Sequence, residues 1–314
     1  MRNESFTTEE IARILKVSKL TVYDLIKKGE LRSYRVGRQM RVDATDLENY
    51  KRKAKGLTFI EEQRVTDVTV NSLHSIQTPA SNRSIIISGQ DMSLDILCKY
   101  IEKQTKLYRP LRSYVGSLES LYSMYKGEAD IVSTHLIDGD TFEYNIPYIR
   151  KLFVSEHFIV INLISRWAGF YVKSGNPLHI QTWRDLVKKD VTFVNREKGS
   201  GARTFVDEML RIHNIIDSEI NGYEDEETSH LTVAGRIAKG LADVGVGIEK
   251  AARMVEVDFI PLTKERYDLV ILKTEENKEL IKLLSNILQS DEFKKELSSI
   301  GYDISQTGIV IFEQ

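Results

Sequence analysis

The chain has 314 residues, of which 41% are hydrophobic and 29% charged, and its formal net charge is −2. This composition is ordinary for a folded globular protein and excludes a low-complexity or disordered chain. No apolar run approaches the roughly 20 residues that a membrane-spanning helix needs, and the first residues lack the apolar stretch of a signal peptide. The single cysteine excludes an intrachain disulfide, so we expect a cytoplasmic protein with no membrane partner.

The first elements of the chain are predicted to be two short helices joined by a turn. Thr7 is suited to cap a first helix over residues 8–15, and Glu10 follows it at the spacing of a capping box. Ser18 can cap a second helix, which should end near Gly29 because glycine favours helix C-termini. Apolar residues recur at helical spacing in both segments. The pattern is typical of a helix-turn-helix.

A basic hairpin is predicted after the second helix. Residues 31–34 and 39–42 alternate around Gly37, and four arginines lie in this short region. Like charges on neighbouring strands repel each other unless a polyanion such as DNA phosphate neutralises them. The candidate DNA-binding residues are Lys19, Thr21, Tyr23 and Lys27 of the second helix and Arg35, Arg38 and Arg41 of the hairpin. The alternative is a small protein-interaction domain with a solvated basic hairpin.

This N-terminal segment resembles the excisionase-type and MerR-like DNA-binding domains. The resemblance lies in residues 6–12, 17–23 and 34–38. It implies a small winged helix-turn-helix domain over residues 1–56 that binds double-stranded promoter DNA, as a homodimer or higher homo-oligomer on paired half-sites. Residues 1–56 carry 14 Lys and Arg against 8 Asp and Glu, a net charge of +6, which leaves −8 for the rest of the chain. The acidic remainder therefore has a role other than DNA contact.

A body of alternating strands and helices is predicted after a polar linker, residues 57–83. Within the body, residues 84–314, a continuous apolar run at 85–87 predicts a buried strand, and further strands are predicted at 112–115 and 129–132. A polar turn follows each of the three, and helical patterns follow the first two. Such alternation favours an α/β fold with parallel strands. Ligands of such sheets gather at the carboxyl ends of the strands.

The turn over residues 195–204 is the most informative of the body. It follows a predicted strand and precedes a helix, and it contains Gly199, Ser200, Gly201 and Thr204. Glycines let the backbone approach an anion closely, hydroxyls can donate hydrogen bonds, and the following helix supplies free amides. The spacing does not match a Walker A loop. The turn is interpreted as an anion cradle, with a glycine-rich turn that packs a helix on the sheet as the alternative.

The body resembles the periplasmic-binding-protein-like domain that serves as a cytoplasmic sensor in bacterial regulators. The motifs that carry the resemblance are residues 116–117, 127–131, 135–136, 143–145, 175–177, 195–203, 222–223, 228–230 and 243–249. It implies a two-lobed type II fold that closes on a ligand, with lobe 1 over residues 84–160 and 265–314 and lobe 2 over residues 161–264. The crossing segments are expected near residues 157–163 and 259–267.

Molybdate-binding relatives of this domain imply molybdate or tungstate as the effector ligand, with no other cofactor. Hydroxyls and helix-terminal amides can hold such a tetrahedral dianion in a dehydrated cleft. The candidate ligand residues are Ser88, Gly89, Ser117 and Thr134 in one lobe and Ser200, Gly201, Ala202, Arg203 and Val233 in the other. Val233 is a candidate through its backbone amide alone. Ile248 is aliphatic where these relatives place a further donor side chain.

Several side chains leave the ligand class open. Arg196 and Arg203 would favour a carboxylate or phosphate if they point inward and would brace the loop if they point outward. His135 and His230 can order their loops or contact the ligand. The alternative effector is therefore a small organic anion or cofactor precursor. No nucleophile elbow and no metal-ligand spacing occurs, so the sequence predicts a ligand-switched regulator and not an enzyme or a metal site.

Overall fold

The computed structural model describes residues 5–28, 31–36, 39–44, 46–47, 50–51 and 82–314. The chain separates into two compact units between residues 75 and 76, and each unit is treated by itself below. The predicted linker, residues 57–83, lies outside the described residues except for its last two. Arg83 is already the first residue of a strand.

The N-terminal unit is a helix-turn-helix with a small antiparallel sheet. It contains β1 (Ser5–Thr7), α1 (Thr8–Leu15), α2 (Lys19–Lys27), β2 (Tyr34–Val36) and β3 (Gln39–Asp43). Both helices begin at the predicted caps, since the Thr7 hydroxyl accepts from the Glu10 amide and the Ser18 hydroxyl accepts from the Thr21 amide. β1 and β2 both pair with β3. The core side chains are Ile11, Val22, Leu31, Val42 and Leu47.

The C-terminal unit alternates strands and helices along most of its length. Its first elements are β4 (Arg83–Ser88), α3 (Ser93–Gln104), β5 (Tyr108–Ser113), α4 (Ser117–Tyr125), β6 (Ile131–Thr134), α5 (Ile146–Leu152) and β7 (Phe158–Val172). Then come β8 (Phe193–Arg196), α6 (Gly201–Ile212), β9 (Glu226–Glu227), α7 (His230–Ala238), β10 (Val244–Ile248), α8 (Glu249–Val255) and β11 (Asp258–Leu272). The last are α9 (Lys278–Gln289), α10 (Asp291–Ser299) and β12 (Val310–Glu313). Short 3-10 helices lie at Trp183–Val187, Asp217–Glu219 and Glu275–Asn277.

One mixed sheet runs through the whole unit in the order β5-β4-β6-β11-β7-β10-β8-β9, and β12 also pairs with β7. β4 is parallel to β5 and β6, and β8 is parallel to β9 and β10. The long strands β7 and β11 are antiparallel to each other and join the two parallel groups. The predicted crossing segments, residues 157–163 and 259–267, fall on or beside these strands. The proposed lobe boundaries stay a prediction.

Separate apolar cores lie on the two sides of this junction. Ile87, Leu94 and Leu284 belong to a core that packs α3, α9 and α10 on the β4 side. Phe193 and Val206 belong to a core that packs α6 on the β8 side. The predicted fold class is therefore confirmed: an N-terminal helix-turn-helix domain followed by an α/β binding-protein-like domain. Among the residues that the structure describes, no helix is long and apolar enough to cross a membrane.

Candidate functional site

The C-terminal unit contains a cavity of about 460 Å³ at the carboxyl ends of its parallel strands. The segments that follow or end β4, β6, β8 and β10 contribute Gln90, His135, Arg196 and Ile248. The long strands β7 and β11 contribute Arg166 and Tyr267. This is the edge of the sheet at which the sequence predicts ligand binding.

A buried ion cluster forms the floor of the cavity. The Arg166 guanidinium pairs with the carboxylates of both Asp91 and Glu265, and all three side chains are buried. Asp91 also accepts hydrogen bonds at 2.8 Å from the Ser93 amide and at 2.8 Å from the Tyr302 hydroxyl. The cluster links the loop after β4 to both long strands, so it fixes the floor by contacts that reach across the sheet.

The pKa values of the two carboxylates in the cluster are shifted in opposite directions. Burial would raise the pKa of Asp91, but the nearby Arg166 charge and the hydrogen bonds from Ser93 and Tyr302 outweigh it, and the pKa is lowered. For Glu265, burial outweighs the attraction of Arg166, and the pKa is raised. One guanidinium therefore compensates two carboxylates, of which Asp91 holds its charge more firmly.

Arg196 is held at the cavity wall by a network that joins two loops. Its Nε and Nη2 atoms donate to the Glu197 carboxylate at 2.7 and 2.8 Å, and Nη2 also donates to Gln90 Oε1 at 2.8 Å. Gln90 Nε2 in turn donates to Glu197 Oε1 at 3.0 Å. Because Gln90 follows β4 and Arg196 ends β8, these bonds bridge the cavity, and the geometry agrees with a bracing role for Arg196.

Two neutral histidines face the same cavity. His135 Nδ1 lies 3.0 Å from the Ser117 hydroxyl oxygen, and a Cβ atom placed on Gly201 would lie 2.3 Å from His135 Nε2. His230 Nδ1 is buried and has no hydrogen-bond partner among the described residues. Burial, followed by the charges of Arg166 and Arg196, lowers the pKa of both histidines well below its ordinary value. The lining contains three cations, Arg166, Arg196 and Lys250, and one carboxylate, Asp91.

The histidines predict a stability loss in mild acid. Because their folded-state pKa values lie below the unfolded-state value of about 6.5, stability that is present above pH 6.5 is lost as the pH falls. The His135→Gln/His230→Gln double variant should lose about 2–2.5 kcal/mol less than the wild type between pH 7.0 and 5.5, because each neutral histidine contributes about 1.2 kcal/mol. Urea unfolding of the wild type and the variant at both pH values measures this difference. Glu265 contributes with the opposite sign in both proteins, so its contribution cancels when the two are compared. The exposed His157→Gln is the control, and equal pH dependence in all three proteins would contradict the assignment.

The predicted hydroxyl and glycine positions lie beside the cavity lining. The Ser88 hydroxyl is 2.9 Å from that of Ser120, and the Thr134 hydroxyl is buried with no hydrogen-bond partner among the described residues. The Ser117 end of α4 and the Ser200 end of α6 come together, since the Leu118 amide donates to the Gly199 carbonyl at 3.1 Å. The ring of His135 lies at this junction.

Other predicted ligand residues make hydrogen bonds and ion pairs to neighbouring residues on the β8 side of the unit. The Ser200 hydroxyl caps α6 by accepting from the Arg203 amide at 3.2 Å, and Gly201 and Ala202 form the first turn of that helix. The Arg203 guanidinium contacts Asp207 and Glu226 and lies 4.3 Å above the Tyr223 ring, so it braces the loop. The Val233 amide donates to Ser229 O at 3.2 Å, within its own helix. These positions stay predictions as ligand contacts.

The ion cluster at the floor of the cavity and the lysine that lines the cavity, Lys250, were not identified from the sequence. Arg166 gave the strongest available signal, because it is the single charge in the apolar run of residues 158–172 and a buried charge needs partners. Asp91, Glu265 and Lys250 gave no local signal, since their proximity arises only when the sheet is formed. Within the described ranges, no three His, Cys, Asp or Glu side chains group in a way that could hold a metal ion.

The second helix of the N-terminal unit exposes most of its candidate DNA contacts. Thr21, Tyr23 and Lys27 are exposed on α2, while Lys19 pairs with Glu9 of the first helix. Val22 faces the core between them. The helix therefore has one buried stripe and one polar face, which is the arrangement of a recognition helix.

The hairpin places its described arginines differently. Arg35 is exposed on β2. Arg41 lies on β3, and its guanidinium donates a hydrogen bond of 3.1 Å to the Ser5 hydroxyl. Arg38 lies outside the described residues. Arg35 is therefore the better placed of the two described residues to reach a phosphate.

Comparisons with known proteins agree with both units. A PBP superfamily domain family matches residues 99–289, and a helix-turn-helix domain family matches residues 5–55. These are binding and DNA-binding domains, not enzyme families. The uncharacterised protein YvgK of Bacillus subtilis (strain 168) is 46% identical over 310 residues, which are 98% of each chain.

Solved structures show the fold of the C-terminal unit. A phosphate transport receptor from Vibrio cholerae has a TM-score of 0.50 at 18% identity, covering 70% of this chain and 99% of its own. The sulfate-binding protein SubI from Mycobacterium tuberculosis H37Rv has a TM-score of 0.50 at 14% identity, covering 70% of this chain and 86% of its own. The chain therefore belongs to the PBP superfamily domain family and carries a helix-turn-helix domain at its N-terminal end.

Proposed function

We propose that the protein is a DNA-binding transcriptional regulator that responds to a small anion bound in the cavity of its PBP superfamily domain. The observation that carries the proposal is the presence, in one chain, of a helix-turn-helix domain and a cavity lined by Arg166, Arg196 and Lys250. Ligand binding changes how two copies of the chain present their recognition helices to half-sites about 34–36 Å apart. A coupling of about 1–3 kcal/mol changes operator affinity roughly 5- to 150-fold. A DNA partner also requires a cytoplasmic location.

Charge in the cavity supports an anionic effector. Three cationic side chains line it, and the two lining histidines are kept neutral, so a bound anion meets attraction without an added proton. The phosphate transport receptor and the sulfate-binding protein that share the fold are named for anions. An uncharged ligand would gain little from these cations.

Molybdate or tungstate is the first candidate effector. The observation that favours it is the meeting of the first turns of α4 and α6 near Ser117 and Gly201, because helix N-termini present free amides to anions. His135 lies between them and would have to move. Calorimetry with molybdate, tungstate, sulfate and phosphate tests this candidate. Absence of heat from all four ions would exclude this candidate. A Ser117→Ala variant with unchanged tungstate affinity would exclude Ser117 as part of the binding site.

A small organic anion is the second candidate. A cavity of about 460 Å³ has the size of sites for organic ligands, and its wall includes Met92, Leu231, Ile248 and Met254. A tetrahedral oxyanion would contact little of this apolar surface. The same calorimetric titration distinguishes the two candidates. If the effector is organic, an organic anion should give binding heat and the four inorganic ions should not.

DNA binding itself predicts a salt-dependent interaction through the hairpin. Arg35→Ala should weaken binding to a duplex selected from a random library and reduce the slope of log affinity against log salt by about 1, because one phosphate contact is lost. Fluorescence anisotropy at several salt concentrations measures both quantities. Lys239→Ala, an exposed change in the other unit, is the control. An Arg35→Ala variant with wild-type affinity and slope would contradict the proposed interface.

A further inference from the structure

Lys250 differs from the other cations of the cavity in its partners. It lies in α8, and its Nζ atom is 2.9 Å from the sulfur of Met92 and 4.6 Å from the ring centre of Tyr302. Both neighbours are uncharged and only weakly attract a cation. No carboxylate lies within ion-pair distance of Lys250 in the part of the chain that the structure describes. By contrast, Arg166 and Arg196 are each paired with carboxylates.

The ammonium group is also partly removed from water. Burial lowers the pKa of Lys250. The charge of Asp91 opposes this shift only in part, and the weaker effect of the Arg166 charge adds to it. A cation that has lost hydration and has no ionic partner gains more from an incoming anion than a cation that is already paired. Among the three cations that line the cavity, Lys250 therefore has the most attraction left for a ligand.

An apolar surface surrounds Lys250. Met92, Leu231 and Met254 line the cavity and are 47%, 43% and 65% exposed. Exposed apolar side chains gathered in a concave site are typical of pockets that bind organic molecules. A bare tetrahedral ion would leave this surface in contact with water, whereas a ligand with an apolar body would cover it.

We propose that Lys250 binds the anionic group of a small organic ligand whose apolar body lies against Met92, Leu231 and Met254. A carboxylate and a phosphate ester share the required chemistry. This inference rests on the proposed function, because it names the ligand class of the same cavity and its anchoring residue. Lys250 belongs to the β8 side of the unit, and Met92 and Tyr302 belong to the β4 side, so a ligand bound here contacts both halves.

Fluorescence of 1-anilinonaphthalene-8-sulfonate, a sulfonate on an aromatic body, tests the proposal. The wild type should bind it saturably, and Lys250→Met should weaken binding about tenfold or more because the charge is lost and the apolar stem is kept. Lys250→Arg should restore most of the affinity. Lys239→Met, which removes an exposed lysine, should bind like the wild type. Circular dichroism melting confirms that each variant is folded.

Displacement of the dye then identifies the anionic group. Benzoate and phenyl phosphate should displace it from the wild type, and the stronger competitor shows whether a carboxylate or a phosphate is preferred. Uncharged benzyl alcohol should not compete. Equal dye affinity in the wild type and Lys250→Met, or no displacement by either organic anion, would overturn the proposal.

DNA binding measured on the same samples separates this inference from the proposed function. If benzoate or phenyl phosphate alters DNA affinity equally in the wild type and Lys250→Met, the regulator proposal holds and the role of Lys250 is wrong. If dye binding depends on Lys250 but no ligand alters DNA affinity, the site holds and the regulator proposal is wrong.

Discussion

Arg166→Met is expected to destabilise the C-terminal unit by about 3–5 kcal/mol at pH 7, the usual cost of removing one partner from a buried ion cluster. Methionine preserves much of the side-chain length but leaves Asp91 and Glu265 buried without their cation. Asp91 keeps its hydrogen bonds from Ser93 and Tyr302, so Glu265 carries most of the penalty. The expected effect is among the largest for any single side chain of the cavity.

Urea unfolding followed by circular dichroism measures the loss. Without the guanidinium, burial raises the pKa of both carboxylates, so the folded variant binds more protons than the unfolded chain and the deficit should shrink as the pH falls from 7 to 5. Adding Glu265→Gln should recover part of the stability at pH 7.

Arg253→Met is the matched control, because it breaks an exposed ion pair with Glu249 and should cost no more than about 0.5 kcal/mol. If Arg166→Met costs as little as this control, the cluster does not stabilise the fold.

Local chemistry explains why the N-terminal unit could be predicted from sequence. Helix caps act over three residues, so Thr7 and Ser18 locate the first turns of α1 and α2 without knowledge of the tertiary fold. The apolar spacing that buries Val22 is equally local. In the body, the run at Ile85–Ile87 likewise predicted a strand where the structure has β4. The helix after the glycine-rich turn was also predicted, but α6 begins at Gly201, within the segment 195–204 that was predicted as a turn, because the Ser200 hydroxyl caps the helix there.

Side-chain direction at the cavity could not be predicted in the same way. A serine before a helix can donate to a ligand or cap the helix, and Ser200 caps α6. An arginine near a cleft can point inward or outward, and Arg203 in the first turn of α6 turns toward Glu226 of β9. The carboxyl-end rule located the cavity, but its charged lining depends on pairings such as Arg166 with Glu265 that only the assembled sheet creates.

Gly89→Ala is expected to cost about 2–4 kcal/mol, because two separate penalties act on one residue. Gly89 has a φ of +142°, a region that residues with a side chain rarely adopt. A Cβ atom there would also lie 1.9 Å from Ser133 Oγ and 2.8 Å from Leu94 Cδ1, and both neighbours are buried. The role of Gly89 as a ligand contact stays a prediction. Its surroundings show a conformational role in the turn that leads to Gln90 and Asp91.

Gly127→Ala separates the two penalties, because Gly127 has a φ of +75° but no atom within 4 Å of an added Cβ. This control should lose only about 1–2 kcal/mol from backbone strain. The difference between the variants, measured by urea unfolding, reports the steric overlap at Gly89. Because Tyr267 Oη lies 3.0 Å from the same added Cβ and also lines the cavity, Gly89→Ala should weaken dye binding as well, whereas Gly127→Ala should not. Equal losses of stability in the two variants would show that the turn after β4 adapts to a methyl group, and that its glycine is required for another reason.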